Sequence, residues 1–309
     1  MKRIIPIFFA ADDNYAPFIA VTLESILDNA SKDYQYKFYV LTTNISKEYR
    51  AVISKYSSEN LTVEFVELGK TIDSIKEKFA LRDYYSMATY YRFFIADMFP
   101  QYDKALYLDC DIAVLGDISE LFNTDVNGFY LGAIPDESIF KYQPFKDYVE
   151  NALGVPAAEY FNAGIMVMNL SEFRKNDILF QFVNLMKKYK FRVAQDQDYL
   201  NVICKNKVKF IQTGWNKGAV YTPGFDESTL KLVHYNLTRK PWHKTGIKYE
   251  EYFWKYAKKS DFADLIQKKL DTYSDKARKN DEEGLKNLLN MCTSEAESET
   301  NYYNTYVKR

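Results

Sequence analysis

The sequence predicts an α/β protein whose mostly parallel sheet carries helices on both faces and runs on into a helical C-terminal extension. Three observations carry this prediction. Short, unbroken apolar runs such as Ile4–Phe9 suit strands buried on both faces. Helical patterns fall between such runs through the first 240 residues, the order that winds parallel strands. The chain of 309 residues, 47% apolar and 27% charged, has ordinary globular usage and length enough for a sizeable core.

Ile4–Phe9 is the first strand, and Ile19, Leu23, Ile26 and Leu27 recur at helical spacing after it. Lys37–Leu41 and Leu61–Leu68 are β-branched and aromatic runs, with a polar helical stretch at Lys47–Lys55 between them. A helix over Thr89–Met98 closes before Pro100 and leads into the buried strand Lys104–Leu108. Beyond residue 129 the order is less regular. Phe129–Ala133 and Gly164–Met168 read as strands, and Ser171 as the N-cap of one helix reaching about Tyr189, with Lys187 and Lys188 at its negative end. Asp196–Cys204 gives a short helix, Lys207–Ile211 and Leu230–Tyr235 two further strands. The expected layout is a catalytic body over 1–248 and a helical extension over 249–309. Its last 29 residues, with six acidic and three basic charges, read as a loosely attached, mobile tail.

A net charge of −1, from 41 basic against 42 acidic residues, argues against a nucleic-acid partner. Cys110, Cys204 and Cys292 are odd in number and far apart, neither a disulfide framework nor a zinc cassette. No dinucleotide fingerprint, P-loop or G-x-S-x-G elbow occurs. The Ile4–Ala11 run contains Pro6 and meets Asp12 and Asp13, so it reads as a core strand rather than a signal peptide. No apolar run approaches the roughly 18 to 20 residues of a membrane span. The expected location is cytoplasmic, at most peripheral at the inner face of the membrane. Tyr252, Trp254, Lys255, Tyr256, Lys258 and Lys259 could sit on an anionic bilayer, while the acidic end would be repelled.

The strand Lys104–Leu108 ends in Asp109-Cys110-Asp111. Ligands of open α/β sheets lie beyond the carboxyl ends of strands, so these carboxylates stand where a ligand would. Two acids that close repel unless a cation or proton intervenes, and a divalent metal bridging to phosphate oxygens resolves the repulsion. A merely acidic turn is the plain alternative. The only two histidines, His234 and His243, share one short segment, and His234 ends the apolar run containing Leu230, Leu232 and Val233. It reads either as a hydrogen-bonded structural imidazole or as a metal ligand, with Lys240 nearby to neutralise phosphate. Such a donor set suits Mn²⁺, with Mg²⁺ second; zinc would recruit thiolate or more imidazole. Ala10-Ala11-Asp12-Asp13-Asn14-Tyr15 could read a base or ribose, or simply cap a turn. Gln195-Asp196-Gln197-Asp198 could grip sugar hydroxyls or cap a helix.

Taken in order, Ala-Ala-Asp-Asp-Asn-Tyr at 10–15, Thr89-Tyr90-Tyr91-Arg92, Leu-Asp-Cys-Asp at 108–111, Phe-Asn-Ala-Gly at 161–164, Asp-Gln-Asp at 196–198 and His-Tyr-x4-Lys-Pro-Trp at 234–242 resemble glycosyltransferase family 8. This is the retaining GT-A group that includes bacterial lipooligosaccharide galactosyltransferases and glycogenin, and the resemblance covers roughly residues 4 to 245. It implies a Rossmann-like GT-A fold and a hexosyltransferase of EC 2.4.1 type. Such an enzyme moves glucose or galactose from a UDP-sugar to a glycan or glycoconjugate acceptor, as in bacterial cell-surface polysaccharide synthesis.

Residue by residue, the resemblance implies Asp109, Asp111 and His234 as metal ligands, with Ala10, Asp12, Asn14 and Tyr15 around uridine. Asp109 and Cys110 also meet the nucleotide sugar, and Lys240 meets its diphosphate. Arg92, Asn162 and Asp196 surround the donor sugar, and Gln197 lies nearest the reacting face of the anomeric carbon. Gln197 and Asp196 are thus the catalytic candidates. Since Gln197 is a poor nucleophile, the expectation is attack by the acceptor on the leaving-group face. One departure stands out: the family usually has Gly three residues after the His, and this chain has Leu237. A side chain there resists positive φ, so the phosphate-closing loop is expected to sit differently. Two other readings stay open: a self-glucosylating primer using Tyr302, Tyr303 and Tyr306, and a non-catalytic nucleotide-sugar-binding scaffold.

Overall fold

The computed structural model describes residues 2–42, 44–68 and 88–308, with 88 and 89 as backbone alone, so the Thr89 side chain of the Thr-Tyr-Tyr-Arg segment lies outside the described residues. Ten strands are described: β1 Arg3–Ala10, β2 Tyr34–Thr42, β3 Leu61–Glu67, β4 Lys104–Leu108, β5 Ile112–Val114, β6 Leu131–Pro135, β7 Phe161–Asn169, β8 Val208–Phe210, β9 Lys217–Gly218 and β10 Leu232–His234. Seven form one sheet in the order β3-β2-β1-β4-β7-β6-β8. β3, β2, β1 and β4 run parallel, β7 is antiparallel to both β4 and β6, and β8 is parallel to β6. The mixed α/β architecture expected from the alternation is present.

Two-sided burial explains why β1 shows no polar alternation. Ile5, Ile7 and Phe9 pack into one apolar layer and Phe8 into the other, all fully buried. The large aromatic complement fills both layers, with Phe18 stacked on Trp242 at 3.8 Å on one side and Phe93 on Phe182 at 3.8 Å on the other. Helix α1 (Ala16–Asn29) opens with Pro17 in its first turn, and α2 (Lys47–Ser54) is capped by the Ser46 hydroxyl. The expected helix at 89–98 is a 3₁₀ turn over Ala88–Phe94 followed by α3 (Ile95–Met98). Helix α4 (Ile118–Phe122) follows β5.

Several boundaries differ from expectation. β6 begins two residues later than expected, and β7 starts at Phe161, so Asn162 lies within the strand rather than before it. A register shift at Ala133/Ile134 sets Ile134 opposite Asn162 and carries Asp136 toward it. Beyond β6 come α5 (Glu137–Lys141) and α6 (Gln143–Tyr148). The single helix expected from Ser171 is two, α7 (Leu170–Lys175) and α8 (Ile178–Lys188). Its cap is Asn169, whose Oδ1 accepts from the Glu172 N–H at 3.2 Å, and Asp177 at φ +50° breaks the run. Helix α9 (Asp196–Ile203) follows.

The extension folds as α10 (Glu250–Ala257), α11 (Ala263–Thr272) and α12 (Asp275–Glu297). The loosely attached tail expected from its charge is instead docked. Cys292 and Asn301 are fully buried, Leu288 and Leu289 pack on the apolar layer containing Phe8, and Asn301 Nδ2 donates to Asn151 O at 3.1 Å. Its i, i+3, i+4 apolar stripe was diluted by surrounding charge. Of the basic aromatic segment, Tyr256 is buried, Tyr252 and Trp254 are half-buried, and the exposed Lys255 and Lys259 pair with Asp28 of α1 at 2.7 and 3.1 Å. No described helix is long and apolar enough to cross a membrane.

Candidate metal and sugar-phosphate site

Strand pairing brings the acidic and imidazole residues together. β4 ends at Leu108, and Asp109 N–H still bonds Gly164 O of β7 at 2.7 Å. The chain then turns through Cys110 and Asp111 into β5, where Ile112 lies opposite His234 of β10. Thr22, buried on α1, fixes that turn by donating to the carbonyls of Cys110 and Ile112 at 3.0 and 3.1 Å.

One ligand atom from each of Asp109, Asp111 and His234 lies within 4.8 Å of the others. The imidazole tautomer follows from a chain of bonds. Gly164 N–H donates to Asn162 Oδ1 at 3.0 Å, which makes that oxygen an acceptor. Asn216 Nδ2 therefore donates to it at 3.0 Å, and Asn216 Oδ1 is left to accept from His234 Nδ1 at 3.0 Å. Nε2 then faces Asp111 Oδ1 at 3.2 Å and Asp109 Oδ2 at 3.8 Å. An imidazole nitrogen aimed at two carboxylates needs a proton or a metal cation between them, and a histidine oriented by a second hydrogen bond is how metal-ligating imidazoles are held. The donor set fits a divalent, oxygen-preferring ion. Asn216 gave no sequence signal, because its role appears only when β9 and β10 pair.

Lys240 ion-pairs with Asp111 Oδ2. Burial alone would raise the Asp111 carboxyl, but the Lys240 ammonium paired with it outweighs burial and holds it well below the usual range. Burial would likewise lower the Lys240 ammonium, and Asp111 overrides it upward. Arg92, 5% exposed, donates to Ala163 O, reaches Asp196 Oδ2 at 3.1 Å and Asp109 Oδ1 at 3.4 Å, and lies over the Tyr107 ring at 4.2 Å. Burial pushes the Asp196 carboxyl up to about 6, against the pull of Arg92.

Two cavities flank this cluster. One of ≈ 300 Å³ is floored by Arg92, Asp109, Asp111, Asn162, Asp196 and Gln197 and walled by apolar groups including Phe145, Val149 and Leu288. The other, of ≈ 290 Å³, is lined by Ala10, Asp12, Tyr15, Arg92, Asp109, Cys110 and Asp111. Asn14 stands outside that lining; its N–H bonds Asp12 Oδ1 at 2.9 Å, so Asp12 also caps the turn. The buried Cys110 thiol points to Ala10 O at 3.5 Å, and burial pushes its pKa well up, which makes it a packing group between β1 and the acidic turn.

The structure sorts Gln195–Asp198 by direction. Gln197 Oε1 accepts from Ala163 N–H at 3.0 Å and its Nε2 donates to Asp136 Oδ2 at 2.9 Å. Asp198 turns away from the cavity and accepts from Tyr160, Tyr148 and Ala194 N–H at 2.7, 2.8 and 2.8 Å, so it does not grip a sugar. Sequence reading missed Asp136, which caps α5 through Ser138 N–H at 2.9 Å and also accepts from Asn162 Nδ2 at 3.2 Å. His243 is apart from the site, stacked on Tyr273 at 3.8 Å. Leu237 holds φ +52°, so its backbone takes up the left-handed geometry despite the Cβ. Tyr302 and Tyr306 pack around Tyr189, which removes the free tail that a self-glucosylating primer would use.

Residues 6–246 match the family described as Glycosyl transferase family 8. A Haemophilus influenzae chain named only as a glycosyltransferase is 33% identical over 266 residues, 79% of this chain and 74% of that one. A lipopolysaccharide 1,3-galactosyltransferase of Salmonella typhimurium is 29% identical over 78% of this chain and 73% of its own length. Among solved structures, the galactosyltransferase LgtC with donor and acceptor sugar analogues superposes with a TM-score of 0.67 at 27% identity, over 83% of this chain and 96% of that chain. The bifunctional glycosyltransferase WbbM gives 0.77 at 23% identity, a likeness of fold alone, and this chain spans about half of it (52%).

Proposed function

This chain belongs to glycosyl transferase family 8, and on that premise we propose that it moves glucose or galactose from a UDP-sugar to a saccharide acceptor with retention. The observation that carries the reading is His234 Nε2 aimed at Asp109 and Asp111 beside Lys240. Asp109, Asp111 and His234 would hold Mn²⁺, with Mg²⁺ the second choice. A divalent ion there supplies Lewis-acid stabilisation of the diphosphate leaving group.

The remaining steps belong to the chain's own side chains. Lys240 moves from Asp111 to the diphosphate and adds a second positive charge. The uridine lies in the cavity of Ala10, Asp12 and Tyr15, with Asn14 on the adjoining turn and Cys110 packing beneath. Arg92, Asn162 and Asp196 hold the hexose on the polar floor, and the apolar wall keeps water from the anomeric carbon. Gln197 is locked between Ala163 and Asp136, which orients its amide but leaves it a poor nucleophile. Both oxygens of Asp136 accept hydrogen bonds as well. The amide of Gln197 makes no stable glycosyl adduct, and the acceptor attacks from the leaving-group face, its proton passing to the departing phosphate oxygen. Incubation with UDP-glucose and UDP-galactose plus Mn²⁺, followed by NMR of the anomeric configuration, tests this. Turnover with retention is expected. No turnover of either donor with any acceptor, or a kinetically competent glycosyl adduct on Gln197, Asp196 or Asp136, overturns it.

A further inference from the structure

We propose that a second, smaller cavity beside the polar floor is an anion subsite for the acceptor, in which Lys141 and Arg239 hold a phosphate or carboxylate carried by the saccharide that receives the hexose. This rests on the transferase reading. The cavity has ≈ 40 Å³, room for a small charged group rather than a sugar ring. It shares Asp136, Ser138, Asn162, Asn236 and Leu237 with the larger cavity, so a ligand lying across both touches the donor floor and the two cations together. Leu285 of α12 also lines it, which brings in a residue beyond the family-matched 6–246.

The charge distribution asks for an anion. Of the two carboxylates lining the cavity, Glu137 is taken by Lys217, whose Nζ meets both its oxygens at 2.9 Å, and by Thr222. Asp136 is taken by Ser138, Asn162 and Gln197. Among the described residues neither Lys141 nor Arg239 makes an ion pair within 4 Å; the Lys141 ammonium lies over the Tyr142 ring at 5.6 Å, and the pull of Glu137 is outweighed by burial and Arg239. Partial burial, then repulsion by Arg239, lowers the Lys141 pKa. Arg92, Lys217 and Lys240, the buried cations around the site, each have carboxylate partners. Two like charges held at one mouth whose carboxylates are bonded to other groups are relieved by an anionic ligand, and a guanidinium suits phosphate or carboxylate geometry.

The test compares charged and neutral probes on the full chain with UDP and Mn²⁺ present. Glucose 6-phosphate, galactose 6-phosphate and glucuronic acid are titrated against glucose and galactose, and the same probes are offered as acceptors. Wild type should bind the anionic probes at least tenfold more tightly at low salt. The gap should close in the Lys141→Gln/Arg239→Gln double variant and at high salt, with UDP affinity unchanged. Equal binding of charged and neutral probes overturns the proposal. So does a tenfold loss of UDP affinity in the double variant, which would assign the cations to the donor diphosphate. The binding gap is read without turnover, so failure of the transferase reading alone leaves it standing.

Discussion

Gly164→Ala is the perturbation whose consequence can be worked most directly from the structure. A Cβ on Gly164 would fall 2.5 Å from Asp109 Oδ2, 2.6 Å from His234 Cε1 and 3.0 Å from Asn162 Oδ1. Ordinary carbon contacts begin near 3.5 Å, so the carboxylate and the ring must each retreat by about 1 Å. Metal–ligand distances tolerate only about 0.2 Å. The displaced Asn162 also loosens Asn216, and with it the tautomer of His234. Losses at such supporting groups run about 10- to 100-fold in metal affinity, and the variant should fall at the upper end because it moves two ligands at once. The fold should be little affected, since Gly→Ala at a conformation Ala can adopt stiffens the unfolded chain and offsets part of the local strain, by about 0.4–1 kcal/mol. Calorimetric titration with Mn²⁺, paired with urea unfolding of the same samples, separates the two effects. Wild-type Mn²⁺ affinity in a folded Gly164→Ala protein would refute the reasoning.

Asn216→Ala should weaken Mn²⁺ about 10- to 100-fold, and Asn216→Asp, which keeps an acceptor for His234 Nδ1–H, should recover part of the loss in the same titration. Leu237→Gly removes a left-handed strain of about 1–2 kcal/mol but adds about 0.5–1 kcal/mol of unfolded-state entropy; a slightly raised melting temperature is expected, and a lowered one for the β-branched Leu237→Val. Burial raises the Asp198 pKa to about 6 from 3.8. The stability it contributes is full below about 3.8 and lost as pH rises through about 6, a change on the order of 2–3 kcal/mol. Wild type should therefore lose more in its urea midpoint between pH 5 and pH 7.5 than Asp198→Asn does. Asp111, with its lowered pKa, contributes in the opposite sense, above the usual carboxylate range, and cancels in that comparison.

The sequence was legible where burial leaves a simple pattern. β1 and β4, and most of β2, are apolar because both faces are covered, and the carboxyl end of β4 pointed to Asp109 and Asp111. His234 was legible because histidine is rare here and this one ends an apolar run. What stayed hidden depends on pairing between distant segments. Asp136 reads as an ordinary helix cap until the β6 register shift carries it to Asn162, and Asn216 is an unremarkable loop residue until β9 meets β10. Ser171 reads as the cap from sequence, yet it is Asn169 that reaches the Glu172 N–H. Charge density hid the docking face of α12, where Cys292 and Leu289 sit among acidic and basic neighbours.

The central claim is that Asp109, Asp111 and His234 jointly hold a divalent ion that tethers a nucleoside diphosphate. The most direct test is the affinity of UDP with and without Mn²⁺, in wild type and in Asp109→Asn, Asp111→Asn and His234→Ala. The account predicts that Mn²⁺ tightens UDP at least tenfold in wild type and in none of the three variants. UDP affinity indifferent to Mn²⁺ in wild type, or a full manganese effect surviving loss of His234, would contradict it.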